Sequence, residues 1–157
     1  MAKTIDEAGI APVRKTLTVP VSLEKAFRLF TVGIATWWPL ATHSVTEGNA
    51  ETVIIEGRVG GRFYERTSDG KESLWGEVRV WDPPRRLVYS WHPGRPADTA
   101  QEVELRFSPA GSGTRVELEH RGWEVLGDNA VSTRDSYDKG WNRVFNECYG
   151  KAAGALL

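Results

Sequence analysis

Cysteine is almost absent from this 157-residue chain: Cys148 stands alone, which excludes an intramolecular disulfide and any zinc site built on several thiolates. Histidine is scarce too. His43, His92 and His120 lie far apart with no carboxylate at short spacing, so neither a metal-ligand cluster nor a paired acid/base is legible. No metal or cofactor is expected. Net charge is nearly lacking, since 20 Lys and Arg stand against 21 Asp and Glu, and that removes any electrostatic reason to expect nucleic acid or an anionic membrane as partner. No apolar run approaches the length of a membrane span. The first residues include Asp6 and Glu7 and lack the apolar stretch of a secretion signal, so a cytoplasmic protein is expected. Walker loops, His-Glu-x-x-His and Gly-x-Ser-x-Gly are all missing. Gly111-Ser112-Gly113 has two glycines of a dinucleotide fingerprint but sits between two strand patterns and reads as a hairpin turn.

What the chain has in excess is tryptophan, seven in all, which calls for large aromatic surfaces to fill or present. The C-terminal stretch from Ser132 to about Leu156 reads as one long amphipathic helix. Tyr137, Trp141, Val144, Cys148, Ala152 and Ala155 recur at helical spacing, with Phe145 and Tyr149 widening the face. Ser132 and Asp135 have the spacing of a capping box. Cys148 on this face reads as a small core residue. Gly140 and Gly150 each cost a helix about 1 kcal/mol against Ala, which a close approach to a sheet would explain.

The rest reads mainly as strand. Residues 1–12 suggest a loose arm, and residues 13–157 a single domain. Val13, Leu17 and Val19 alternate with polar residues as in a half-buried strand. Ser22 can cap a short helix with Leu23, Ala26, Phe27 and Phe30 on one face. Thr36-Trp37-Trp38-Pro39 follows as a second short piece, then an aperiodic loop from Leu40 to Ala50. Strand patterns cover Val53–Glu56, Arg62–Arg66, Leu74–Trp81, Leu87–His92, Glu102–Ser108 and the run through Val116, Leu118 and His120. Alternation predicts an antiparallel sheet with one covered face and one wet face.

The pieces Gly60-Gly61-Arg62-Phe63, Gly76-Glu77-Val78, Asp82-Pro83-Pro84-Arg85-Arg86-Leu87-Val88-Tyr89-Ser90-Trp91, Gly113-Thr114-Arg115-Val116, His120-Arg121-Gly122-Trp123 and Gly140-Trp141 resemble the heat-shock-protein-90 ATPase activator-like family of the START-like (SRPBCC) superfamily. The match runs from about Val13 to the end. The resemblance implies an α+β helix-grip (Bet v 1-like) fold, in which a curved antiparallel sheet wraps a long C-terminal helix and two short helices follow the first strand. It also implies a cavity between sheet and helix that holds apolar molecules in relatives. The co-chaperone that gave the family its name carries a further N-terminal domain, for which this chain is too short. Chaperone activation is therefore not carried over.

With that fold, Trp37, Trp38, Tyr137 and Trp141 are pocket candidates or core fillers, and Trp75, Tyr89 and Trp91 join them from strands. Strict alternation puts Leu74, Gly76, Val78 and Val80 on one face, and Trp75, Glu77, Arg79 and Trp81 on the other. Glu77 and Arg79 then either orient a ligand or form a surface pair, the reading preferred. His43 can reach over a pocket mouth as a hydrogen-bond or acid/base group. The expectation is a binding protein for a small apolar or amphipathic molecule, monomeric or homodimeric, more binder than enzyme. A cyclase- or hydrolase-type enzyme in the same cavity and a protein-interaction module with an exposed Trp37, Trp38 and Trp123 cluster are the alternatives.

Overall fold

The computed structural model describes residues 5–6 and 9–156. Part of the arm expected over residues 1–12 lies outside the described residues. Within it, β1 (Ile5–Asp6) and β2 (Gly9–Ile10) pair antiparallel, and Glu124 accepts the Ile10 N–H at 2.7 Å.

The alternating stretch after it forms β3 (Val13–Val19), with Val13 and Val19 buried. α1 (Leu23–Phe30) starts where expected because the Ser22 hydroxyl accepts the Lys25 N–H at 3.3 Å, satisfying a free donor of the first turn. A 3₁₀ turn (Ile34–Thr36) carries the chain into Trp37 and Trp38, and an irregular loop leads to the remaining strands. These are β4 (Ala50–Ile55), β5 (Arg62–Thr67), β6 (Glu72–Asp82), β7 (Arg86–Trp91), β8 (Gln101–Ala110) and β9 (Gly113–Arg121). They make one antiparallel sheet in the order β3-β9-β8-β7-β6-β5-β4, curled around a long C-terminal helix. The helix-grip architecture is thus present, and no helix among the described residues is long and apolar enough to cross a membrane.

The covered face collects Leu87 and Tyr89 of β7, Val103, Leu105 and Phe107 of β8, and Val116 and Leu118 of β9. Phe27 of α1 packs edge-on to Trp81 and Phe107, at 5.3 and 5.2 Å between ring centres. The outer face is less wet than alternation predicts, because Glu104 is only 2% exposed beneath three arginines. Arg86, Arg106 and Arg121 donate to it at 2.6, 2.7 and 2.6 Å. Burial alone would raise the Glu104 carboxyl. The three guanidinium bonds outweigh it and bring the group down to about 2.

The C-terminal helix departs from its sequence reading in three respects. It begins earlier, with α2 (Ala130–Trp141) running out of 3₁₀ turns within Trp123–Asn129, so Ser132 lies inside the helix, where its hydroxyl donates to the Asn129 carbonyl at 3.2 Å instead of capping. It then widens into a π-helical stretch (Asn142–Tyr149) before α3 (Gly150–Gly154). A π turn takes up more residues than an α turn, so the buried face advances along the chain. Val144, Phe145, Tyr149 and Ala153 are buried, Cys148 and Ala152 are half-buried, and Ala155 is exposed. Tyr149 ties this stretch to α1 by donating to the Ala26 carbonyl at 2.8 Å.

Strict alternation also fails in β6, for a visible reason. Its pairing to β5 skips Trp75, between Phe63↔Gly76 and Tyr64↔Leu74, and its pairing to β7 skips Arg79, between Val78↔Tyr89 and Val80↔Val88. Each bulge changes which residues point inward. Trp75 and Trp81 therefore turn toward the core while Glu77 and Arg79 stay outside as an exposed ion pair at 2.6 Å.

Candidate functional site

Between the C-terminal helix and the upper part of the sheet lies an open cavity of about 400 Å³. Four tryptophans wall it, each from a different element: Trp38 after the 3₁₀ turn, Trp75 on β6, Trp91 on β7 and Trp141 at the end of α2. The rim is completed by His43, Ser44 and Val45 of the loop before β4, by Pro93 and Gly94 after β7, and by Tyr137, Gly140 and Val144 of the helix. The indoles touch one another. Trp38 lies 5.1 Å from Trp75, 6.0 Å from Trp91 and 6.1 Å from Trp141 between ring centres. Six of the eight residues expected at a site, Trp38, His43, Trp75, Trp91, Tyr137 and Trp141, are therefore gathered around one space.

The other two stand behind it. Trp37 donates its indole N–H to the Leu29 carbonyl at 2.8 Å and packs on Phe30 and Tyr149, bracing Trp38 from the core side. Tyr89 is fully buried under Phe63 and Trp91, its hydroxyl has no partner among the described residues, and burial pushes its phenol well above the ordinary value.

Three of the four wall indoles are fixed by hydrogen bonds. Trp38 donates to the His43 carbonyl at 2.9 Å, Trp75 to Glu65 Oε1 at 2.8 Å and Trp141 to His120 Nδ1 at 3.0 Å. Among the described residues the Trp91 N–H is buried without a hydrogen bond of full geometry, although it lies close enough to the Tyr137 phenol to favour its charged form. A donor left short of a full hydrogen bond is a group that a ligand oxygen can satisfy, but the Trp91 N–H is itself closed off, so reaching it takes a side-chain shift.

Glu65 was not legible as a site residue. It is fully buried, and besides Trp75 it accepts the Val45 N–H at 2.6 Å, the Thr46 N–H at 3.2 Å and the Thr46 hydroxyl at 2.6 Å. One carboxylate thus clamps the rim loop to the sheet and sets the angle of a wall indole. The only sequence signal was a charged residue in a short strand, and nothing in that pattern says that it faces inward.

The polar groups at the cavity are neutral or nearly so. Burial, and next the charge of Arg143, hold the His43 imidazole below its ordinary value, and its Nδ1 shares a hydrogen bond of 2.8 Å with the Thr42 hydroxyl. Burial raises the Tyr137 phenol, with the Trp91 N–H and Arg95 pulling the other way. Among the residues lining the cavity none is Asp, Glu, Lys or Arg. Among the described residues no three His, Cys, Asp or Glu side chains converge as a metal site. Trp37, Trp38 and Trp123 are all buried within the one chain, which counts against a docking surface built on them. Chemically, the arrangement suits a flat apolar body stacked among indoles, with a few neutral groups for its polar edge.

The family model described as Activator of Hsp90 ATPase homolog 1-like protein matches residues 20–148. Among solved structures, an anthrahydroquino-γ-pyrone synthase is 40% identical, the match covering 82% of this chain and 88% of that one with a TM-score of 0.57. CalC, a self-sacrificing resistance protein from Micromonospora echinospora, is 28% identical over 93% of this chain and 96% of its own, with a TM-score of 0.71. The Aha1 dimer from Colwellia psychrerythraea, 14% identical over 86% of this chain and 96% of its own at a TM-score of 0.57, shares the fold. No curated protein matches.

Proposed function

The chain belongs to the Activator of Hsp90 ATPase homolog 1-like family, and from that premise we propose that it binds a planar, largely apolar aromatic small molecule between its sheet and its C-terminal helix. The observation that carries this reading is the cavity of about 400 Å³ walled by four indoles packed around Trp38, one of which, Trp91, has a buried N–H without a full hydrogen bond among the described residues. A volume of a few hundred Å³ suits a ligand of two to four fused rings. Burial supplies affinity at about 25 cal/mol per Å² of apolar surface, less the cost of ordering. Indoles already held by hydrogen bonds keep that ordering cost small. The 40% identity to a synthase whose name carries a fused anthrahydroquinone and pyrone supports the same ligand class.

The test is quenching of tryptophan fluorescence by emodin, a hydroxyanthraquinone, with Trp38→Ala as the control. Saturable quenching by the wild-type protein, weakened about tenfold in the variant, supports the reading. Quenching that rises linearly without saturation, and equally in both proteins, refutes it.

A second reading has one specific observation in its favour: His43, an imidazole held neutral, stands on the wall of the same cavity. A neutral imidazole can take a proton from a phenolic hydroxyl or an acidic carbon of a bound polyketide-like substrate, as a ring-forming enzyme requires. Under this reading His43→Gln abolishes turnover of the substrate while leaving emodin binding intact. Loss of both together would instead make His43 a binding group.

A further inference from the structure

We propose that Gly140 sets the depth of the cavity and so limits the size of the fused-ring system it admits. The inference rests on the reading that the cavity holds an aromatic ligand, and it assigns the residue that selects among such ligands. A glycine in the interior of a helix is destabilising relative to alanine, so it calls for a local reason. Two reasons are usual, a close approach of backbone to a neighbour and a positive φ.

Gly150 satisfies the first, since a Cβ there would stand 3.1 Å from Leu17 Cδ2 on β3. Gly140 satisfies neither. Its φ is not positive, and a Cβ built on it meets no atom within 4 Å. The helix therefore gains nothing in packing from this glycine, and the expectation of close helix-to-sheet contact is met at Gly150 and not at Gly140.

What lies in front of Gly140 is the cavity. It stands on the wall between Tyr137 and Trp141, with Val144 next along the same helical face. Tyr137 and Trp141 pack against Trp91 of the sheet, Val144 lines the same cavity, and at Gly140 the wall is bare backbone. The π-helical stretch starts two residues later, at Asn142. That widening carries the buried Val144, Phe145 and Tyr149, and π-helical turns gather at functional sites. The bare backbone at Gly140 leaves open space where an ordinary helix would present a side chain. A ligand ring laid against that backbone uses room that any larger residue would occupy.

The experiment combines thermal unfolding of Gly140→Ala with quenching titrations of wild type and Gly140→Leu, using naphthol (two fused rings) and emodin (three). Expected is a higher melting temperature for Gly140→Ala, because the methyl enters open space and the helix propensity improves. Gly140→Leu is expected to hold naphthol within about threefold of wild type and to lose emodin by at least about tenfold. A lower melting temperature for Gly140→Ala would overturn the inference, since it would mean that packing requires the glycine. A folded Gly140→Leu that binds emodin as wild type does would overturn it too, while leaving the aromatic-ligand reading standing. Wild-type protein that binds neither probe overturns that reading, and the size limit with it.

Discussion

Trp141 donates its indole N–H to Nδ1 of His120 across 3.0 Å, joining the C-terminal helix to β9 beneath the cavity. Because Nδ1 accepts, the imidazole proton resides on Nε2, which faces Gln101 Oε1 at 3.1 Å. Trp123 covers the ring, its centre 4.0 Å away. A cationic imidazole would set two donors against each other at Nδ1. Burial lowers the group to about 3, so at neutral pH the tautomer and the position of the Trp141 ring are set together.

That relationship predicts an acid-sensitive fold. His120 is neutral in the native state down to about pH 3, whereas in the unfolded chain it takes a proton near its ordinary 6.5. Between those values the unfolded state binds more protons, so stability rises with pH. It is fully present above about pH 6.5 and falls by about 1.4 kcal/mol per unit below it. His43, also lowered, adds slope of the same sign, whereas Glu104, brought down to about 2, contributes only below its ordinary 4.5. Urea unfolding at several pH values between about 5 and 7 should show the slope, and His120→Asn, which can still accept from Trp141, should flatten it. An unchanged slope in that variant would mean that His120 is not the titrating group.

Glu65 predicts a local effect. Glu65→Ala strips the acceptor from the Val45 and Thr46 amides, the Thr46 hydroxyl and the Trp75 indole. One buried and three half-buried donors left unpaired should lower stability by about 3 kcal/mol. Hydrogen exchange should then accelerate first at Val45 and Thr46, ahead of global unfolding. If those amides stay as protected as in wild type, the rim loop is held by something other than the carboxylate.

How far the sequence discloses this molecule depends on whether a feature is local. The Ser22 cap, the hairpin turns and the alternation of Val103, Leu105 and Phe107 are local, and all of them are legible. The indoles at the cavity were gathered from positions 38 to 141 because the family resemblance supplied a topology; composition alone says only that seven tryptophans need a place. What misled is equally physical. Bulges at Trp75 and Arg79 change the inward set of β6, and neither bulge has a glycine or proline at that position to mark it. The π-helical stretch likewise moves burial from Ala155 to Ala153, since periodicity assumes a regular turn. Glu65 escaped because a buried carboxylate is recognised by its donors, and these come from a loop some twenty residues away in the chain.

Tyr89 offers a stability test that should leave the site untouched. Its hydroxyl is fully buried without a partner among the described residues, and the residue does not line the cavity. Tyr89→Phe removes an unsatisfied group at almost constant shape, so the protein should gain about 1 kcal/mol, read as a higher urea midpoint at unchanged slope. Emodin quenching should be as in wild type. A loss of stability would show that the hydroxyl is paired in solution, through a buried water, for example.

Trp91 separates folding from binding at the cavity itself. Its N–H, like the Tyr89 hydroxyl, makes no full hydrogen bond among the described residues, although it acts on the Tyr137 phenol, and it belongs to a wall residue in contact with Trp38, Trp75 and Trp141. Trp91→Phe keeps an aromatic ring and deletes the donor. On folding grounds alone the change should be small, because relief of an unpaired donor offsets part of the lost ring area, and the net should stay within about 1 kcal/mol. If the N–H is reserved for a ligand oxygen, emodin affinity should fall about tenfold, the equivalent of one good hydrogen bond. Unsubstituted anthracene, which offers no acceptor, should bind variant and wild type alike. A variant that loses both probes equally would assign Trp91 to stacking alone. A donor that serves only the oxygenated probe would tie the Trp91 indole to the polar edge of the ligand.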